Sequence, residues 1–81
     1  SELFIDKVEL INCKFSVEYK KIEKLELLAR PRFSSTGFYG KLMKDKEKIY
    51  FKYNEENAHN SKGQHIVFFY DGFVVGGGEI K

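Results

Sequence analysis

The chain has little of several things that would announce a chemistry. Its 81 residues include one cysteine, Cys13, one proline, Pro31, and two histidines. A single cysteine excludes an internal disulfide and any zinc site built from several cysteines, and it fits a reducing, cytoplasmic setting. No apolar run approaches the roughly 18 residues of a membrane span, and the N-terminus has no signal-peptide pattern. Neither sign of charge prevails: 14 Lys and Arg stand against 12 Asp and Glu, for a net charge of +2. That balance does not argue for a nucleic-acid partner, so only local clustering of basic residues could. His59 and His65 have no metal-binding spacing of the H-E-x-x-H kind. The carboxylates are scattered among lysines and show no paired arrangement for acid–base work. Internal repeats and low-complexity runs are missing, and so is an initiator methionine. The last point leads us to expect a processed chain or an excised piece of a longer protein.

What is present is aromatic. Eight Phe and five Tyr, with 42% hydrophobic residues overall, describe a globular chain whose rings bury much area each. The length makes one domain, residues 1–81. Its organising stretch is the tail, Gly63 to Ile80. His65 to Tyr70 reads as a strand that is apolar on both faces, with Val67 and Phe69 on one and Ile66 and Phe68 on the other. Such a strand belongs inside a sandwich or barrel. Asp71-Gly72 is a two-residue hairpin turn, because both residues accept positive φ. Phe73 to Val75 opens a second strand, Phe73–Ile80, which Gly76-Gly77-Gly78 interrupts before Glu79 and Ile80.

Taken in order, Leu3 to Leu10 reads as a strand with a possible bulge, and Asn12-Cys13-Lys14 as a turn. Phe15 to Arg30 is ambiguous. Leu25, Leu27 and Ala29 alternate as in a strand, yet Ile22, Leu25 and Leu28 also recur at helical spacing. Pro31 ends either element. Thr36–Met43 and Lys48–Tyr53 form a hairpin across a charged turn, Lys44 to Glu47. Asn54 to Gly63 is a polar loop. Short strands with tight connections and no βαβ period predict an all-β, six-stranded antiparallel barrel. Its expected core is Phe4, Val8, Leu25, Leu27, Phe38, Phe51, Val67, Phe69 and Val75.

Few of these residues suggest reactivity. The triple glycine lacks the helix and Lys-Ser/Thr pair of a phosphate loop, so it reads as a bulge or close backbone approach where the barrel closes. Cys13 would need a base and an electropositive pocket to lower its pKa, and Lys14, its neighbour in the chain, points apart from it. The basic residues Arg30, Arg32, Lys41 and Lys44 flank two neighbouring strands, with Phe33, Tyr39, Tyr50 and Tyr53 close in sequence. Charges that hold phosphates beside rings that stack bases are the composition of single-stranded nucleic-acid binders. The alternative is an ordinary solvated face over an aromatic core.

Gly63, Gln64, Val67, Tyr70, Asp71, Gly72, Val75, Gly76, Gly77, Gly78 and Ile80 carry a pattern that closely resembles the end of the tRNA-specific 2-thiouridylases. These enzymes were long labelled tRNA (5-methylaminomethyl-2-thiouridylate) methyltransferases. Leu3 to Val8 resembles the start of that family's C-terminal domain, and Arg30-Pro31-Arg32 its Arg-x-Arg segment, with Pro31 in place of an aromatic residue. Lys62 stands where the family has proline. The resemblance implies a detached C-terminal barrel, similar to translation-factor barrels, and a strand over Glu23–Arg30. It implies a parent transferase that uses ATP to activate the wobble uridine of tRNA and replaces its O2 with sulfur. In that parent this barrel helps seat the anticodon arm. The ATP loop and catalytic cysteines of the family are not in this sequence, and Cys13 matches neither cysteine. By resemblance the chain is an accessory tRNA-positioning domain without catalysis of its own, with Arg30, Arg32, Lys41 and Lys44 as candidate phosphate contacts. The competing reading is a structural or protein-interaction barrel that packs on a neighbouring domain and touches no RNA.

Overall fold

A computed structural model describes residues 7–32, 34, 36–54 and 62–81. Six strands and one helical turn follow in order: β1 (Lys7–Phe15), α1 (Tyr19–Ile22), β2 (Leu27–Pro31), β3 (Phe38–Asp45), β4 (Lys48–Tyr53), β5 (His65–Tyr70) and β6 (Phe73–Ile80). Every pairing is antiparallel, and the sheet closes on itself in the order β1-β4-β3-β2-β5-β6. The expected six-stranded barrel is therefore the fold. The bounds expected for β4, β5 and β6 match those observed. The tail turn forms as its sequence dictates, with φ of 52° at Asp71 and 82° at Gly72.

Side chains alternate between the barrel interior and its outer wall. Leu10, Leu27, Ala29, Leu42, Phe51, Tyr53, Ile66, Phe68, Val75 and Ile80 fill the interior together with Ile22. Val8, Leu25 and Phe38 pack against this cluster as half-buried residues, while Leu27, Phe51 and Val75 are fully part of it. Two members of the expected core, Val67 and Phe69, instead lie on the outer wall. The cause is the space available on each side of β5. Phe68 faces Ala29 on β2 and Gly76 on β6, and Ile66 faces Gly78. Small partners leave room for a ring and a branched chain inside. Val67 faces the long Arg30. Phe4, also expected in the core, lies outside the described residues, as do residues 55–61 of the polar loop, His59 among them.

Three further expectations are corrected. Asn12-Cys13-Lys14 is no turn: β1 runs on to Phe15 and absorbs a bulge there, with Asn12 at φ 54° and a register shift against β6 between Ile11 and Lys14. The extra residue changes the alternation, so that Leu10 and then Cys13 and Phe15 turn toward the core. The strand expected over Glu23–Arg30 begins only at Leu27. Ahead of it, α1 makes a single turn, held by Lys21 N–H donating to the Glu18 carbonyl. That turn drives Ile22 into one end of the barrel, with Tyr19 beside it. Finally, β3 spans Phe38–Asp45, two residues later than expected at each end, and the turn to β4 is Lys46-Glu47, with Lys46 at φ 60°.

Two close approaches within the barrel wall need glycine. A Cβ on Gly40 would run into the Lys52 carbonyl and the Phe51 ring. One on Gly76 would stand 2.5 Å from Phe15 Cδ1 and 2.9 Å from the Lys14 carbonyl. The triple glycine is thus where β6 meets β1 to close the ring, as the sequence suggested.

Candidate nucleic-acid interface

The outer wall holds the side chains that could meet a partner. Across β3, β2, β5 and β6, the residues Tyr39, Leu28, Phe69 and Val74 face one another in register. They make an apolar and aromatic row, in which Tyr39 is 51% exposed. Arg30, one outward position further along β2, lays its guanidinium 5.1 Å from the Phe69 ring centroid. Its Nη2 also donates to the Ser34 carbonyl at 3.2 Å. Both contacts fix the plane of the guanidinium, which suits Arg to stacking and to forked recognition of an anion.

The four candidate residues divide into two places. Arg30 and Arg32 lie at the β2 end of the wall. Arg32 is exposed, its N–H donates to the His65 carbonyl, and it lines a shallow pocket of about 400 Å³ with Pro31, Ser34 and Gln64. Lys41 and Lys44 belong to β3, one outward and one in the inward phase at the strand's far end. There Lys44 Nζ sits 5.9 Å from the Tyr19 ring centroid. Despite opposite phases, both reach one groove of about 500 Å³, whose charged lining is Lys24, Lys41, Lys44, Lys52 and a single carboxylate, Glu23.

Of the aromatics expected nearby, Tyr39 is on the wall and exposed, and Tyr50 is on the wall beneath Lys7, whose Nζ is 4.8 Å from the ring centroid. Tyr53 is inside the barrel at 3% exposure, where its ring meets Phe38 and Phe51 edge-on, and it cannot stack on a base. Phe33 lies outside the described residues. Lys7 and Lys52 escaped the sequence reading. The four-residue turn expected over Lys44 to Glu47 hides the place of Lys52, which the observed two-residue turn Lys46-Glu47 sets opposite Lys41. Lys7 is hidden because its pairing with Lys52 joins strands far apart in sequence.

The remaining reactive side chains are not assembled into a centre. Burial pushes the Cys13 thiol above its ordinary range, so it is a poor nucleophile at neutral pH. His65 is exposed on the outer wall. Among the described residues no group of three His, Cys, Asp or Glu could hold a metal ion, and no helix is long and apolar enough to cross a membrane. Gly76 and Gly77 are strand residues paired to both β1 and β5, and Gly78 is paired to β5, so the triple glycine is built into the barrel wall and is not a phosphate-cradling loop.

The closed ring, the Asp-Gly hairpin and the glycine-rich last strand define the class: a small, closed, six-stranded antiparallel β-barrel domain. Over its whole length the chain is 91% identical to tRNA-specific 2-thiouridylase MnmA 2 of Fusobacterium nucleatum subsp. nucleatum. It is the counterpart of the C-terminal part of that protein and spans 24% of its length. No family model and no solved structure matches the chain.

Proposed function

We propose that the chain is the accessory tRNA-positioning domain of an ATP-dependent tRNA-uridine 2-sulfurtransferase, a cytoplasmic enzyme that thiolates the wobble uridine. The observation that carries this reading is the 91% identity to a tRNA-specific 2-thiouridylase over every residue of the chain. The domain's part is electrostatic and geometric. Lysines and arginines that displace counterions from phosphates hold the anticodon arm against the wall, and the phosphate contacts set orientation without reading sequence. Arg30, held between Phe69 and Ser34, and exposed Arg32 form one contact region. Lys41 and Lys44, on the rim of the β3 groove, form the other. ATP activation and sulfur transfer fall to the rest of the polypeptide.

Titrating the chain with an anticodon stem-loop, with residue-resolved NMR shifts at two salt concentrations, tests this. Shifts at Arg30, Arg32, Lys41 and Lys44 that fade at high salt are expected. An absence of shifts at low salt would reject RNA seating and favour a second reading, a barrel that packs on a neighbouring domain. That reading has its own support: Phe73 and Val74, beside the β5–β6 turn, are 72% and 55% exposed, and large exposed apolar patches mark interaction sites.

A further inference from the structure

Three lysines stand in one row across three adjacent strands of the outer wall. Lys7 on β1 is paired with Lys52 on β4, and Lys52 is paired with Lys41 on β3. Residues directly opposed on one sheet face have Cβ atoms about 5 Å apart, and like charges so placed are destabilising. All three are exposed, and among the described residues none has a carboxylate partner. The nearby carboxylates are engaged elsewhere. Glu9 pairs with Lys81 at 3.4 Å, and Glu26 accepts from the Asn54 side-chain amide. At its β3 end the row opens into the groove that Lys24 and Lys44 also line, so five ammonium groups face one carboxylate, Glu23, along a continuous path.

Folding gains nothing from such a row. A solvated face would intersperse the signs, as cross-strand pairs of opposite charge stabilise a sheet. We propose that Lys7, Lys52 and Lys41 form a ladder for the phosphate backbone of RNA, lying across the strands of the barrel wall. This rests on the tRNA-positioning reading and adds to it two residues and a direction of travel. A linear array of compact ammonium charges on flexible stems matches a linear array of phosphates and demands no fixed hydrogen-bond geometry. Tyr50, on the same face and under Lys7, gives the path an aromatic margin. An RNA strand following the row would leave it through the groove beside α1.

The test compares the 81-residue chain with two triple variants of equal charge change. One is Lys7→Gln/Lys41→Gln/Lys52→Gln. The other is Lys46→Gln/Lys48→Gln/Lys62→Gln, whose positions are exposed and outside the row. Binding to an anticodon stem-loop is followed between 50 and 200 mM salt, and thermal unfolding is recorded for each protein. The row variant should show a log–log salt slope shallower by about 2–3 units, at about 0.9 for each phosphate that is no longer neutralised. Over that salt range the dependence of Kd then falls by roughly 40-fold. The control should change the slope by less than about one unit. The row variant should also melt higher than the unsubstituted chain, because a repulsion has gone. Equal slopes for the two variants would overturn the ladder and leave the tRNA reading standing. A row variant that binds less but melts lower would assign the lysines a structural role and overturn it too. Failure of the unsubstituted chain to bind at 50 mM salt would sink both proposals together.

Discussion

Phe51 of β4 and Phe68 of β5 meet in the middle of the barrel, with ring centroids 5.2 Å apart and planes tilted by 34°. Their strands are not neighbours in the ring, so this contact crosses the interior and ties opposite walls together. Phe68→Ala should cost about 3–5 kcal/mol, since deleting a buried ring forfeits its transfer energy and leaves a cavity. Val67→Ala, one residue earlier and on the outer wall, should cost less than about 1 kcal/mol. Urea unfolding of the two variants checks this. Similar losses would mean that the inward face of β5 has been assigned to the wrong residues.

Gly40→Ala introduces the smallest possible side chain where no space exists. The neighbours in its way are the Lys52 carbonyl and the Phe51 ring, and neither is the loose end of a flexible chain. We expect a loss of about 1–3 kcal/mol, the range of overpacking in a well-filled interior. Gly72→Ala makes an informative comparison. A Cβ there meets nothing, but φ is 82°. Its cost is conformational strain alone, so it should fall below that of Gly40→Ala in the same denaturation assay.

Tyr19 buries its hydroxyl without a hydrogen-bond partner while its ring packs edge-on against Phe15 at 5.5 Å. Replacing it by Phe keeps the ring and removes an unsatisfied polar atom. Because a buried unpaired group costs about 1–3 kcal/mol, Tyr19→Phe should raise stability, by up to about 1 kcal/mol. A fall in the melting midpoint would show that the hydroxyl is satisfied in solution.

Alkaline pH should weaken the fold through two acids. Desolvation raises the pKa of Cys13 above its ordinary 9.0. The Tyr19 phenol rises above its ordinary 10.0 through desolvation first, then through the charges of Glu23 and Cys13. In both cases the folded chain holds its proton longer than the unfolded one. The associated stability is fully present below the unfolded values and is lost as pH climbs through the folded ones. Denaturation midpoints recorded from pH 7 to pH 11 should therefore decline from about pH 9 upward. The double variant Cys13→Ala/Tyr19→Phe should flatten that decline. A wild-type curve matching the double variant's would refute the assignment.

Legibility in the sequence followed the range of the interaction involved. Turns and hairpins are local, so Asp71-Gly72 and the three last strands could be read from residues that are neighbours in the chain. Alternation gave β5 two apolar faces and no means of choosing. The choice between Phe68 and Phe69 depends on Ala29 and Gly76, contributed by other strands. The same holds for Asn12, whose bulge follows from the register of β1 against β6. Phe15 to Arg30 carried both helical and strand spacing because it is both: Ile22 plugs the barrel end from one helical turn, and Leu27 and Ala29 then line the interior from a strand. At the candidate site, the charges could be enumerated, but their grouping could not. Lys41 and Lys44 share a groove, Arg30 and Arg32 lie elsewhere on the wall, and Lys7 enters only through the closure of the ring.

That closure also limits how anything can recognise this domain. With every described strand bonded to a neighbour on both sides, the ring has no outermost strand, and the backbone-templated association and aggregation that a whole open edge invites are curtailed. A partner must read side chains that project from a scaffold it does not perturb. The outside can then change residue by residue while the interior stays constant, so the same small cylinder can present different surfaces with no change in its architecture.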